Sequence, residues 1–74
     1  MDGRHVVQRL VNGDSVLAIA RGYGYVSATP VYKAARAFII EKLGLEHYLE
    51  LAARPGTGCV RIARTLGKEA LQKD

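Results

Sequence analysis

The stretch SVLAIARGYGYVSATPVYKAAR, residues 15–36, decides the fold of this 74-residue chain. Its first half carries Val16, Ile19, Ala20 and Tyr23 at i, i+3, i+4, i+7, which predicts an amphipathic helix. The run VLAIA is also compatible with a β-strand, because period alone does not separate the two in a short apolar run. The preceding LVNGDS favours the helix, since it supplies a stop for one helix and a cap, Asp14 or Ser15, for the next.

A helix is predicted on each side of this one. HVVQRLV, residues 5–11, has apolar positions on one helical face and ends at Asn12-Gly13. In the second half of the opening stretch, Thr29 is the predicted N-cap and Pro30 the first helical residue, where a missing N–H costs nothing. Val31, Ala35 and Phe38 then form the predicted inward face of this helix, which stops near Gly44.

After Gly44 the apolar period changes from helical to alternating. Leu49 and Leu51 flank Glu50, and Val60 and Ile62 flank Arg61, while ARPGTG between them is rich in turn residues. This pattern predicts a β-hairpin followed by a short helical or frayed end from residue 67. The alternative is a helix, because IAR-x-x-G occurs at residues 19–24 and again at 62–67, which would mark a repeated helical unit.

Composition limits the classes of protein to which the chain can belong. It is one domain, with a single cysteine and no metal-ligand spacing among His5, His47 and Cys59, so we expect no disulfide, metal or other cofactor. No acid/base or nucleophile set stands out, which predicts a protein that is not an enzyme and has no small-molecule substrate. No segment resembles a signal peptide or the ~20-residue apolar run of a membrane span, so we expect a cytoplasmic protein.

The distribution of charge is more informative than the net charge of +4. Residues 15–40 and residues 51–68 contain no acid, whereas Glu41, Glu46 and Glu50 lie between these two basic segments. Such a chain can present a positive face to a polyanion, although an unevenly charged solvated surface explains the pattern as well.

The order of these pieces resembles a winged helix-turn-helix domain of the bacterial or phage transcription-regulator type. LVNGDSVLAIARGYG is similar to the start of such units, TPVYKAARAFIIEKLGL to their recognition helix, and CVRIARTLGKEAL to a second wing strand with the start of a C-terminal helix. The resemblance implies an α+β fold over residues 1–74, with three helices followed by a β-hairpin wing. One departure is the turn, because Val31 follows Ala20 by eleven residues where the tightest motifs have ten.

The resemblance implies sequence-specific binding of double-stranded DNA by a small transcriptional regulator, with the helix from Pro30 to Leu43 in the major groove. Thr29, Lys33 and Arg36 share the face opposite the apolar one, with Tyr32 at its margin, and Ser27 and Thr29 are placed to contact phosphate. Arg54 and Arg61 would belong to the wing around Gly56.

The resemblance also implies a homodimer, for which the apolar edge of residues 5–11 or the C-terminal segment would supply the surface. Three other interpretations remain. The cations can simply keep an amphipathic helix solvated. The chain can be a protein-interaction module, or a small subunit of a phage or plasmid nucleoprotein assembly, which uses Glu41, Glu46 and Glu50. It can also bind single strands through Tyr25 and Tyr32.

Overall fold

The computed structural model describes residues 1–73 and folds them into helices connected by short loops. The helices are α1 (Gly3–Val11), α2 (Val16–Gly22), α3 (Thr29–Leu43), α4 (Leu45–Ala52) and α5 (Cys59–Leu71). No strand forms anywhere in residues 1–73. The class is therefore all-α, and the α+β expectation is wrong. No helix in this part of the chain combines the length and the apolarity that crossing a membrane requires.

The helices expected before residue 44 are confirmed, together with their stops. Gly24 has φ +83°, and the N–H groups of Gly24 and Tyr25 donate to the carbonyls of Arg21 and Ala20. This is a Schellman motif, in which a left-handed glycine satisfies the last carbonyls of a helix, and α1 ends in the same way at Gly13. Ser15 is the N-cap of α2, because its Oγ accepts from the N–H of Ala18 at 3.1 Å.

The start of α3 lies one residue earlier than the sequence predicts. Ala28 is the N-cap and makes no side-chain capping bond, so Thr29 is the first helical residue and not the cap. Pro30 still lies in the first turn, where it displaces no intrahelical hydrogen bond. Gly44, at φ +93°, ends α3 and leads directly into α4.

The predicted β-hairpin does not exist, because both of its strands are helical. Residues 49 and 51 lie in α4, and residues 60 and 62 lie in α5. The buried residues of α5 recur at helical spacing, namely Ile62, Ala63, Leu66, Gly67 and Ala70. Alternation over three residues was too short a signal to outweigh this longer period, and the repeat of IAR-x-x-G was the correct indication. The stretch ARPGTG is the loop between two helices.

The core forms where α1, α3 and α5 meet. α3 contacts each of the other four helices, and α5 lies along α1. Arg64 links the two helices at one end of this pair, because its guanidinium donates to the carbonyls of Leu10 at 3.2 Å and Asp14 at 3.3 Å. Arg4 joins the other end by donating to the carbonyls of Leu71 and Lys73. The apolar residues of α1 and of the C-terminal end of α5 lie in this core or, as with Val11 and Leu71, are partly buried against it.

Candidate nucleic-acid interface

α3 has one buried face and one exposed polar face. Val31 and Ala35 are fully buried, and Phe38 is 7% exposed. Thr29 and Lys33 lie on the opposite side and are exposed. This division follows from the period of the helix, because residues four and seven positions apart fall on the same side. The outward placement that the sequence predicts for these side chains is confirmed.

Lys33 and Arg36 differ in what they contact. Lys33 is exposed and makes no ion pair among the described residues. Arg36 is exposed as well, but its guanidinium carbon lies 5.5 Å from the ring centroid of Tyr48 on α4, which is a cation–π distance. Lys33 is thus the freer cation of the two, whereas Arg36 is oriented by α4.

Tyr48 lies where α3, α4 and α5 meet, and its hydroxyl is perturbed there. Burial and the neighbouring Cys59 raise its pKa above the ordinary tyrosine value, while Arg36 opposes that shift. The Sγ of Cys59 lies 3.6 Å from the carbonyl oxygen of Tyr32, which places the first turn of α5 against α3. The Arg36–Tyr48 and Cys59–Tyr32 contacts thus join the first half of α3 to α4 and α5.

The segment between α2 and α3 is the most exposed apolar part of the chain. Tyr25 is 43% exposed, and Val26 makes no shielding contact, with a relative exposure of 102%. Ser27 follows and is exposed too. Tyr23, by contrast, is half-buried, and its hydroxyl lies 2.6 Å from Nδ1 of His5. The place of Tyr23 in the predicted apolar stripe is therefore confirmed, and Tyr25 is the more exposed of the two tyrosines.

Ser27, Thr29, Tyr32, Lys33 and Arg36 come together around the first half of α3, and Tyr32 is 37% exposed at the margin of this surface. We call these five residues the α3 face.

Arg54 and Arg61 are not on a wing, and this prediction is corrected. Arg54 lies in the loop after α4, and Arg61 is on the exposed side of α5. Arg54 lines a shallow pocket of about 120 Å³ between α4 and α5, together with His47, Glu50, Leu51, Thr65 and Leu66. Arg61 lies one helical turn before Thr65. Both arginines are exposed and lie outside the α3 face.

Several cations are engaged in contacts within the fold and are therefore less available to a ligand than Lys33. Arg4 and Arg64 donate to backbone carbonyls, and Arg9 forms an ion pair with Asp14 at 2.8 Å. Lys42 lies over the ring of Phe38, 4.0 Å from a carboxylate oxygen of Glu41. Exposed cations without such contacts within residues 1–73 are Arg21, Lys33, Arg54, Arg61, Lys68 and Lys73.

Comparison with known proteins adds no assignment, because no family model, curated protein or solved structure matches this chain. Within residues 1–73, no group of three or more His, Cys, Asp or Glu side chains lies close enough together to hold a metal ion.

Sequence reasoning passed over two exposed apolar residues that the structure brings to attention. Val26 stands beside the α3 face, and Leu17 on α2 is 50% exposed. Leu17 falls outside the apolar stripe of Ile19 and Ala20, and this mismatch with the helical period was the available signal for it. Val26 lies in the turn, to which no such period applies. A third surface of this kind lies on α4, where Leu45 and Leu49 are 48% and 50% exposed.

Proposed function

We propose that this protein binds double-stranded DNA through the α3 face, as a small helix-turn-helix regulator without a wing. The observation that carries the proposal is the outward placement of Thr29 and Lys33 on a rigid helix whose opposite face is buried. The major groove of B-DNA is ~12 Å wide and admits one α-helix, and lysine donates to guanine O6 and N7 or to phosphate.

The neighbourhood of α3 supports the same function. Residues 15–40, which include α2, the turn and most of α3, contain no acid, so the approach of phosphate meets no carboxylate of this segment. Ser27 and Thr29 lie at the N-terminus of α3, where backbone N–H groups and the helix dipole favour an anion. In this arrangement, Arg36 contacts the backbone while it remains stacked on Tyr48, and Lys33 reaches the bases.

The turn between α2 and α3 has six residues and is longer than that of tight helix-turn-helix motifs. Tight helix-turn-helix motifs use a turn of 3–4 residues. Here Tyr23–Ala28 separates the two helices, so Tyr25 and Val26 project beside the N-terminus of α3. These side chains are placed to contact the groove edge, where an apolar group packs against the thymine methyl.

The proposal is tested by selecting bound sequences from a random duplex pool and by titrating salt against the selected site. Specific binding through cations predicts enrichment of a motif and a steep, linear loss of log affinity with log salt. Recovery of no motif together with salt-independent retention would contradict the proposal. Single-stranded competitor separates duplex binding from stacking on Tyr25 and Tyr32, because only the latter would favour the single strand.

A protein-interaction module is the second candidate, and α4 is the observation that favours it. Leu45 and Leu49 expose half of their side chains beside Glu46 and Glu50, which are exposed on the same helix. A stable complex with a protein partner that forms without DNA and that is lost on Leu49→Asp would support this function. Binding of DNA by the α3 face and binding of protein by α4 are compatible in one molecule.

A further inference from the structure

The exposed face of α4 is both apolar and acidic. Leu45 and Leu49 are four residues apart and form one stripe, and Glu46 and Glu50 form the stripe next to it. Neither glutamate makes an ion pair among the described residues. We call these four residues the α4 face.

The exposed face of α2 is apolar and basic. Leu17 and Arg21 are four residues apart and share one side of the helix, opposite the buried Ile19 and Ala20. Leu17 is 50% exposed, and Arg21 makes no ion pair among the described residues. We call Leu17 and Arg21 the α2 face.

We infer that the protein associates with itself head to tail, with the α2 face of one copy on the α4 face of the next. The two surfaces are complementary, because each offers exposed leucine and the charges beside the leucines are opposite. Burial of leucine drives such a contact, and the opposite charges fix which surfaces pair.

A symmetric contact is disfavoured for each surface by itself. Two α4 faces related by a two-fold axis would bring Glu46 and Glu50 against their own copies, and like charges across an interface are costly. Two α2 faces would bring arginine against arginine. The dimer surfaces expected from the sequence on α1 and the C-terminal segment offer less free apolar surface, because most of their apolar residues are buried in the core.

A contact between two different surfaces forms a closed ring only if the rotation from one copy to the next adds up to a full turn. Each added copy therefore leaves one free α2 face and one free α4 face, and the product is an open row or a ring. This contact does not use the α3 face, so it forms without DNA and does not depend on the proposed DNA-binding function.

The test is charge reversal followed by rescue, measured by sedimentation of the 74-residue chain without nucleic acid. The parent is expected to grow in mass with concentration, and more weakly at high salt. Arg21→Glu alone, and Glu46→Lys with Glu50→Lys, are each expected to weaken association at least about tenfold by placing like charges together. The triple variant carries all three reversals and is expected to associate again, because its two surfaces are complementary with the signs exchanged.

Lys68→Glu is the matched control, because it reverses an exposed cation on α5 outside both surfaces and is expected to leave association unchanged. Circular dichroism establishes that each variant is folded. A parent that stays monomeric at every concentration overturns the inference. So does association that survives Arg21→Glu, which would indicate a symmetric α4 contact, and so does a folded triple variant that stays monomeric.

Discussion

Gly67 on α5 lies so close to Val11 on α1 that a β-carbon at residue 67 would be 2.5 Å from Cγ2 of Val11. The same carbon would be 3.0 Å from Cγ1 of Val7. Real β-carbons do not approach other atoms this closely, and valine is too stiff at χ1 to turn away. The contact between α1 and α5, which replaces the expected wing, therefore depends on a glycine in the middle of a helix.

Gly67→Ala is expected to destabilise the fold although alanine favours helix over glycine. The helix propensity gains about 1 kcal/mol. Forcing α1 and α5 apart costs about 1–3 kcal/mol, so the free energy of unfolding falls by up to about 2 kcal/mol. Urea denaturation followed by circular dichroism measures it. Gly22→Ala is the control, because its β-carbon would meet only the end of the Arg9 side chain at 3.4 Å, and this variant should be neutral or slightly stabilised.

Arg64→Ala is expected to lower stability by about 1–2 kcal/mol, because the carbonyls of Leu10 in α1 and Asp14 in the following loop lose a charged donor. Arg61→Ala, three residues earlier on the exposed side of α5, should change the free energy of unfolding by less than about 0.5 kcal/mol. Thermal or urea unfolding of the two variants side by side checks this. Equal effects would mean that the Arg64 contacts contribute nothing to the fold.

Tyr48 predicts a loss of stability at alkaline pH. Burial raises its pKa, so the folded chain holds the phenolic proton more tightly than the unfolded chain does. In the unfolded chain, tyrosine titrates at about pH 10. The resulting stabilisation is fully present below that pH and is lost as the pH rises through the higher folded pKa. Tyr48→Phe keeps the ring under Arg36 but removes the titrating group, so its stability should fall less steeply above about pH 10.

The measurement is the free energy of unfolding of the parent and the variant as a function of pH. Tyr25→Phe serves as the control, because it removes the same hydroxyl group from a tyrosine that is 43% exposed. If the free energy of unfolding of the parent and of Tyr48→Phe fell equally steeply with pH, the raised pKa of Tyr48 would be contradicted.

The first half of the fold was predictable because its signals are local and agree with one another. Asn12-Gly13 and Gly24 end helices with left-handed glycines, and Ser15 caps one, so each boundary has its own chemistry. The inward and outward faces of α3 followed from spacing alone. Only the cap of α3 was misplaced, because Thr29 makes no capping bond and the helix begins on it.

The second half was mispredicted because its signals depend on contacts that are distant in sequence. A strand was predicted before Gly67 and a short helical or frayed end from it, whereas Gly67 lies inside α5, where the absence of a β-carbon lets α1 pack closely. In the repeat IAR-x-x-G, Gly24 ends a helix at positive φ, whereas Gly67 lies within one and has no positive φ. The same six-residue pattern thus has two structural roles. The positions of Arg54 in the loop after α4 and of Arg61 on α5 could not be predicted while this segment was assigned to a β-hairpin.

The most direct test of the DNA-binding account is the affinity of Lys33→Ala for the selected duplex, measured by fluorescence anisotropy over a series of salt concentrations. Lys68→Ala is the control, because it removes the same charge from α5, away from the α3 face. The account predicts that Lys33→Ala loses about 1–3 kcal/mol of binding free energy and has a relaxed sequence preference at every salt concentration, while its unfolding and the binding of Lys68→Ala stay at the parent values. Binding by Lys33→Ala that equals that of the parent, or losses of the same size in both variants, would contradict it.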